Sequence, residues 1–248
     1  MFGLLLASVL AAFAAPDKEP APNTYTWTIR FNGIPIGEQV LTISYDHNDK
    51  GLERVMRSTT TIDASPVDFD YQYQQILAGR ATNEPAAFNA SFNLGGTTGG
   101  CEVRWADSGI YVTHIDDEGK ATDEVLPSTA ANLSTIDLFD PLSHVALSRF
   151  ESVSVLSAQT GRVWHSEVRR MGPTEVIIDG TKLLTEGLVV HSPDGRQAYY
   201  YTADGIPVRY EYYVQGRLFE AKLSTLPPPG IDDMPVPLRR PEIAVKDL

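Results

Sequence analysis

The chain has 248 residues, and its 32 acidic and 20 basic side chains give a formal net charge of −12 at pH 7. Such a charge repels phosphate backbones and anionic membrane surfaces, which argues against nucleic acid as a partner. The length suits one substantial β domain or two small ones, and we expect one. The only cysteine, Cys101, cannot form an internal disulfide, so we interpret it as a small structural side chain.

Residues 1–14 form an apolar run that is too short to cross a bilayer and that ends on Ala12-Phe13-Ala14, the small-x-small form of a signal-peptidase site. We therefore predict a signal peptide at residues 1–14 and a periplasmic or secreted protein. The usual basic start of such a peptide is missing, because the first basic residue is Lys18. No later segment approaches the roughly 20 apolar residues of a membrane span, which predicts no transmembrane segment.

Alternation of apolar and polar residues predicts the first strands. YTWTIRF at residues 25–31 places its aromatic residues on one face, as in a half-buried strand. Asn32-Gly33, directly after it, is a strong hairpin signal. GEQVLTISY at residues 37–45 leaves two registers open, one that buries Val40 and Thr42 and one that buries Leu41, Ile43 and Tyr45.

The alternation continues through residues 52–64 and 68–77, which we predict to be long strands with one wet face. GGTTGG at residues 95–100 then follows. This glycine cluster lacks the Lys and Ser/Thr of a phosphate-binding loop, and no helix-like pattern comes after it, so we interpret it as a flexible connection between strands. Residues 101–105 and 109–115 predict a further hairpin.

One segment, residues 127–149, interrupts the strands. Asp140-Pro141 has the form of a helix start, with Asp140 as the cap and Pro141 at the first helical position. The spacing of the apolar residues that follow predicts a short helix at residues 141–149. Asp140 and His144 would then lie one turn apart, which suits two metal ligands or a base with its orienter, although capping alone explains Asp140.

The clearest pattern is RQAYYYTADGIPVRYEYYVQGRLFEAKL at residues 196–223, which predicts three antiparallel strands joined by turns at Asp204-Gly205 and Gln215-Gly216. Frequent turn signals without βαβ alternation predict an all-β, mainly antiparallel fold. We expect a meander barrel or half-barrel with one short central helix, and a sandwich is the alternative. The predicted segments are a signal peptide at 1–14, an extended leader at 15–23, the β domain at 24–226 and a proline-rich tail at 227–248.

Recognisable catalytic motifs are absent from the sequence. The five histidines form no metal-binding spacing, and the nucleophile-elbow, zinc-protease and dinucleotide motifs do not occur. We therefore predict no catalytic residue, no metal and no cofactor. The enzymatic alternative is a hydrolase or isomerase that uses Asp140, His144 or a Tyr/Glu pair.

Aromatic residues are in surplus, with 11 Tyr, 9 Phe and 3 Trp. Tyr199-Tyr200-Tyr201 must point to both faces of a strand, so one set fills a core and the other covers a helix or tail, lines a cavity or stands in solvent. Packing is the plain explanation. The functional hypothesis is a helix-gated interior that takes a hydrophobic small molecule, lipid or glycan. Its candidate residues are Tyr199, Tyr201, Tyr210, Tyr212, Trp164, Asp140 and His144. The alternative is a structural or interaction protein whose tail docks on an envelope protein.

Three short motifs carry a resemblance to a known group. They are NGIPIGE at residues 32–38, FDPLS at residues 139–143 and ADGIPVR at residues 203–209. With them, residues 24–223 resemble the exported bacterial β-rich proteins grouped as domain of unknown function 3108 and its relatives. The resemblance implies a β domain of the cell envelope, similar in outline to lipoprotein-carrier half-barrels, with no catalytic residues to carry over.

Overall fold

The computed structural model describes residues 22–48, 51–64, 69–80, 85–140, 150–157, 160–193, 195–203, 205–214 and 217–225. These residues form sixteen strands and one 3-10 helix, which covers Thr135–Phe139. The strands are β1 Asn23–Phe31, β2 Ile34–Asn48, β3 Gly51–Ala64, β4 Phe69–Arg80, β5 Pro85–Leu94, β6 Thr97–Ala106, β7 Gly109–Ile115, β8 Ala121–Leu126, β9 Leu133–Ser134, β10 Ser152–Leu156, β11 Val163–Glu167, β12 Arg169–Ile178, β13 Thr181–Ser192, β14 Gly195–Tyr201, β15 Pro207–Val214 and β16 Arg217–Leu223.

Thirteen strands form one antiparallel sheet in the order β12-β13-β14-β15-β16-β1-β2-β3-β4-β5-β6-β7-β8. β1 pairs with β16, so the N-terminal and C-terminal meanders join into one surface. β12 and β8 are the two edges, and within the described ranges they do not pair with each other. The sheet is therefore open, and the predicted all-β, mainly antiparallel half-barrel is confirmed.

Alternation along each strand decides which side chains face the interior. On β1, Tyr25 and Trp27 point inward and are at most 3% exposed. The open question on β2 is settled in favour of the second register, because Leu41, Ile43 and Tyr45 are buried. The predicted hairpin turn at Asn32-Gly33 is present, as is a further one at Asp179-Gly180, and all four residues have positive φ.

The chain between β8 and β12 fills the concave side of the sheet. Its described parts are residues 127–140, 150–157 and 160–168, which we term the insert. Within it, β9, β10 and β11 form a second sheet in which β9 runs parallel to β10. The inward face of this sheet is apolar and buried, and its outward face is polar. The buried apolar residues of this second sheet are Leu133, Val153, Val155, Leu156 and Trp164.

Contacts on two sides show that the insert spans the open half-barrel. On one side, the backbone N–H of His191 on β13 donates to the Ser166 hydroxyl at 2.7 Å. On the other side, Gly161 lies so close to β7 that a Cβ there would stand 2.6 Å from the His114 ring. The insert thus covers the inner face of the large sheet from β13 to β7.

One sequence prediction is wrong in its extent. Of the GGTTGG cluster, only Gly95 and Gly96 form the turn, and the rest belongs to β6. Gly100 is buried against β5, where a Cβ would lie 2.2 Å from the carbonyl oxygen of Ala90. Glycine is present there because two backbones approach closely, and it does not serve a flexible connection.

Several predicted segments cannot be compared with the fold. The signal peptide at 1–14, all but the end of the leader at 15–23, the helix at 141–149 and the tail at 227–248 lie outside the described residues. In the part of the chain that is described, no helix has the length and apolar content needed to cross a membrane.

Candidate functional site

Residues 134–140, which we term the plug, run through the interior of the half-barrel. Asp137 closes their first turn, because its carboxylate accepts hydrogen bonds from the backbone N–H and the hydroxyl of Ser134 at 2.7 and 2.9 Å. Ile136, Leu138 and Phe139 are all buried. A helix of five residues is not stable by itself, so the plug depends on the sheet around it.

A buried ion pair fixes the end of the plug. Arg54 on β3 donates from Nη1 to Asp140 Oδ2 at 2.6 Å and from Nη2 to Oδ1 at 2.5 Å. The two side chains are 5% and 0% exposed. Burial alone would lower the pKa of Arg54, but the Asp140 carboxylate, together with a hydrogen bond to Tyr45, more than offsets this and raises it. The pair is therefore a buried, bidentate salt bridge.

Two more hydrogen bonds hold the plug from different walls of the half-barrel. The Tyr201 hydroxyl on β14 donates to the carbonyl of Leu138 at 2.6 Å. The Thr135 hydroxyl donates to the Gln75 side chain on β4 at 3.0 Å. Together with the ion pair to β3, these contacts tie both halves of the large sheet to one short segment.

Phe139 of the plug lies in the middle of the tyrosine cluster. Its ring meets those of Tyr199 and Tyr210 edge to face, with centroids 5.7 and 5.0 Å apart. Tyr210 stacks on Tyr212 at 6.0 Å, and Tyr212 stacks on Phe219 at 5.0 Å with the planes 8° apart. A continuous row of rings therefore leads from the plug to one end of the half-barrel.

Most of the rings at that end are only partly covered, although Phe219 among them is buried. Phe31 lies 5.2 Å from Phe219, centroid to centroid, and both Phe31 and Tyr212 are half-buried. Tyr71 on the opposite wall is also half-buried, and it lies close enough to Tyr210 to contribute to the raised pKa of that phenol, whose main cause is burial. We term Phe31, Tyr71, Tyr212 and Phe219 the aromatic rim.

The predicted site residues are brought together only in part. Tyr199, Tyr201 and Tyr210 surround the plug, Tyr212 belongs to the rim, and Asp140 ends the plug. Trp164 lies on β11 in the second sheet, where it packs inward and is 8% exposed. His144 lies outside the described residues, so its predicted pairing with Asp140 stays a prediction.

The second set of rings has a use that the sequence did not predict. Tyr200 and Tyr213 point to the outer face of the large sheet, where arginine side chains cover them. The Arg209 guanidinium lies 5.0 Å from the Tyr200 ring centre and that of Arg196 lies 6.0 Å from the Tyr213 ring centre. These cation–π contacts account for the surplus rings without a second cavity.

Other groups in the described residues offer little chemistry. Burial raises the pKa of the Cys101 thiol to about 12, so it is an inert structural group. No cluster of three or more His, Cys, Asp or Glu in the described ranges stands close enough to hold a metal ion. A groove of about 670 Å³ lies at the margin of the second sheet, and its lining is Phe150, Glu151, Ser152, Glu167, Val168 and Arg170.

Breaking the ion pair from one side is expected to be costly. Arg54→Met leaves a buried unpaired carboxylate and should lower the free energy of unfolding by about 3–5 kcal/mol, whereas Arg54→Met/Asp140→Leu should recover most of that loss. Urea unfolding measures both effects. Lys182→Met is the matched control, because its pair with Glu175 is solvent-exposed and worth at most about 1 kcal/mol. An Arg54→Met protein as stable as the Lys182→Met protein would contradict the buried pair.

The buried phenols predict a loss of stability at alkaline pH. Burial, with a smaller contribution from Asp140, raises the pKa of Tyr25 from 10.0 to about 12, and burial also raises those of Tyr199, Tyr201 and Tyr210. The folded state therefore keeps protons that the unfolded chain has released, so stability is full below pH 10 and falls as the pH rises towards 12. Tyrosinate absorbance should rise together with unfolding. Titration of every tyrosine near its ordinary pKa in the folded protein would refute this.

Comparisons with known proteins agree on the fold and give no activity. A search of curated proteins finds no match. Among solved structures, the chain is similar to a crystal structure of a beta-barrel-like protein of Domain of Unknown Function DUF1849 from Brucella abortus, with 11% identity, a TM-score of 0.54 and coverage of 82% of this chain and 96% of that one. At this identity the likeness concerns the fold alone. The family described as Domain of unknown function (DUF6134) matches residues 27–224, and the chain belongs to that family.

Proposed function

We propose that this protein is an exported, non-catalytic binding protein that takes a hydrophobic or envelope-derived ligand at the aromatic rim of its half-barrel. The observation that supports the proposal is the incomplete cover of the inward-facing rings at the rim, where Phe31, Tyr71 and Tyr212 are half-buried. Elsewhere on the inner face, Trp27 and Tyr201 are completely buried. The inner face is therefore less completely covered at the rim than around Trp27 and Tyr201.

The chemistry of the rim suits an apolar or amphipathic molecule. Aromatic walls with a few placed polar groups are typical of ligand sites. The walls are the rings of the rim, and the nearby polar groups are the amides of Gln39 and Gln197, which accept hydrogen bonds from Tyr210 and Tyr199 at 2.5 and 2.8 Å. The groove at the second sheet is a poorer candidate, because two carboxylates and a guanidinium line it.

The absence of catalysis is supported by the state of Asp140, the residue that the enzymatic alternative would use. Both of its carboxylate oxygens accept hydrogen bonds from Arg54, and its side chain is fully buried. A general base needs a carboxylate within reach of substrate. The other named residue, His144, and the tail of the envelope-docking alternative lie outside the described residues, so no structural observation favours either hypothesis.

Export is supported by the apolar run and small-x-small site at residues 1–14.

The resemblance to domain of unknown function 3108 stays a prediction, because the family whose model matches the chain is a different one.

Removal of one ring of the aromatic rim should weaken ligand binding. The next residue in the chain provides the control. Tyr212→Ala removes an inward ring, and Tyr213→Ala removes a ring of the same kind from the outer face. With Nile red as a neutral fluorescent probe, we expect about a tenfold loss of affinity for Tyr212→Ala and little change for Tyr213→Ala. Thermal unfolding of both variants checks that each is folded at the assay temperature. Equal affinities in the two variants, or no binding by the unaltered protein, would count against the proposal.

If the protein is exported, its mature form should begin at a defined residue. Expressed with its own N-terminus in a Gram-negative host, the protein should be recovered outside the cytoplasm with Ala15 as its first residue. Ala14→Tyr places a bulky side chain at the cleavage position and should leave the precursor uncut. N-terminal sequencing decides the matter, and Met1 at the start of the exported protein would rule the cleavage out.

A further inference from the structure

The plug ends in a carboxylate that sits on a buried guanidinium, and this arrangement suggests what kind of ligand the interior accepts. We propose that Arg54 is an anion-binding residue of the ligand site, and that Asp140 holds the place of the carboxylate head of an amphipathic ligand. This inference rests on the proposed function, because it extends the same interior from the aromatic rim to the ion pair.

The guanidinium presents a carboxylate-shaped site. Its two terminal nitrogens donate to the two oxygens of Asp140 at 2.6 and 2.5 Å, which is the fork geometry that arginine forms with carboxylates. Tyr45 adds a hydroxyl beside it. The Nε of Arg54 is buried and has no hydrogen-bond partner in the part of the chain that the structure describes. The site therefore offers one donor more than Asp140 uses.

The order of groups along the plug matches that of a carboxylate amphiphile. Asp140 supplies the anionic head, and Phe139 directly beside it supplies an apolar body. The Phe139 ring lies among Trp27, Tyr199 and Tyr210, at centroid distances of 5.0 to 6.0 Å. A ligand with its head at Arg54 would lay its apolar chain along the same rings, in the direction of the rim.

On electrostatic grounds, the interior opens at least cost when a ligand carboxylate replaces Asp140 at Arg54. If the plug left without replacement, Arg54 would remain as a buried bare cation, which is strongly unfavourable. If a ligand carboxylate took the position of Asp140, the guanidinium would stay compensated throughout. An apolar contact at this position would stabilise the fold about as well as the ion pair. The pair therefore selects for ligands that carry a matching anion.

The test compares laurate with dodecanol, two probes with the same chain length and different heads. Affinities are measured by displacement of Nile red from the full-length mature protein. Asp140→Asn releases Arg54 while it keeps the side-chain shape, so we expect laurate to bind about tenfold or more tightly than to the unaltered protein. Dodecanol, which has no charge to pair, should change little. In Arg54→Met/Asp140→Leu, the preference for laurate over dodecanol should disappear.

Stability gives a second readout if Asp140→Asn unfolds partly. Laurate should then raise its unfolding temperature more than dodecanol does at equal concentration, since only laurate compensates Arg54. If dodecanol binds and laurate gains nothing in Asp140→Asn by either readout, the anion-binding role of Arg54 is refuted and the proposed function stands. If neither probe binds any variant, both proposals fail together.

Discussion

The structure depends on one constraint, that the inner face of an open sheet has to be covered. Thirteen strands curl into a half-barrel whose edges, β12 and β8, do not meet within the described residues. The inner face is nevertheless apolar, and the insert between these two strands supplies the cover. Burial of side chains such as Ile136, Leu138 and Phe139 contributes about 1.5–3 kcal/mol each, which is where much of the stability of this arrangement comes from.

Apolar burial does not by itself fix how the plug lies, and the Arg54–Asp140 pair provides directional specificity together with the hydrogen bonds to Tyr201 and Gln75. Hydrophobic contacts have no direction, so the plug would tolerate shifts along the interior. A bidentate bond between two planar groups sets both position and angle. Because Asp140 follows Phe139 directly, fixing the carboxylate also fixes the ring against Tyr199 and Tyr210. The ion pair thus connects the strand pattern of β3 to the packing of the tyrosine cluster.

Patterns among neighbouring residues predicted much of the fold. They could not predict contacts between residues that are far apart in the sequence. The β1 face and the turn at Asn32-Gly33 follow from alternation and from positive φ, which are properties of neighbouring residues. Arg54 and Asp140 are 86 residues apart, and no local pattern marks either as a partner. Asp140 before a proline was interpreted as a helix cap, and that interpretation concealed its pairing with Arg54. The only available hint was an arginine at an inward position of a strand, where a charge needs a partner.

A gradient of burial along the tyrosines connects the rim with the plug. Tyr201 is fully buried beside the plug, Tyr210 is 5% exposed, and Tyr212 is half-buried at the rim. A ligand that rests on the rim therefore disturbs only contacts that solvent already reaches. A ligand that goes deeper must replace Phe139 and then Asp140, and it has to match an apolar contact before an ionic one. The order of residues in the plug imposes this sequence, so under the proposed function we expect discrimination between neutral and anionic molecules at the inner end of the site and not at its entrance.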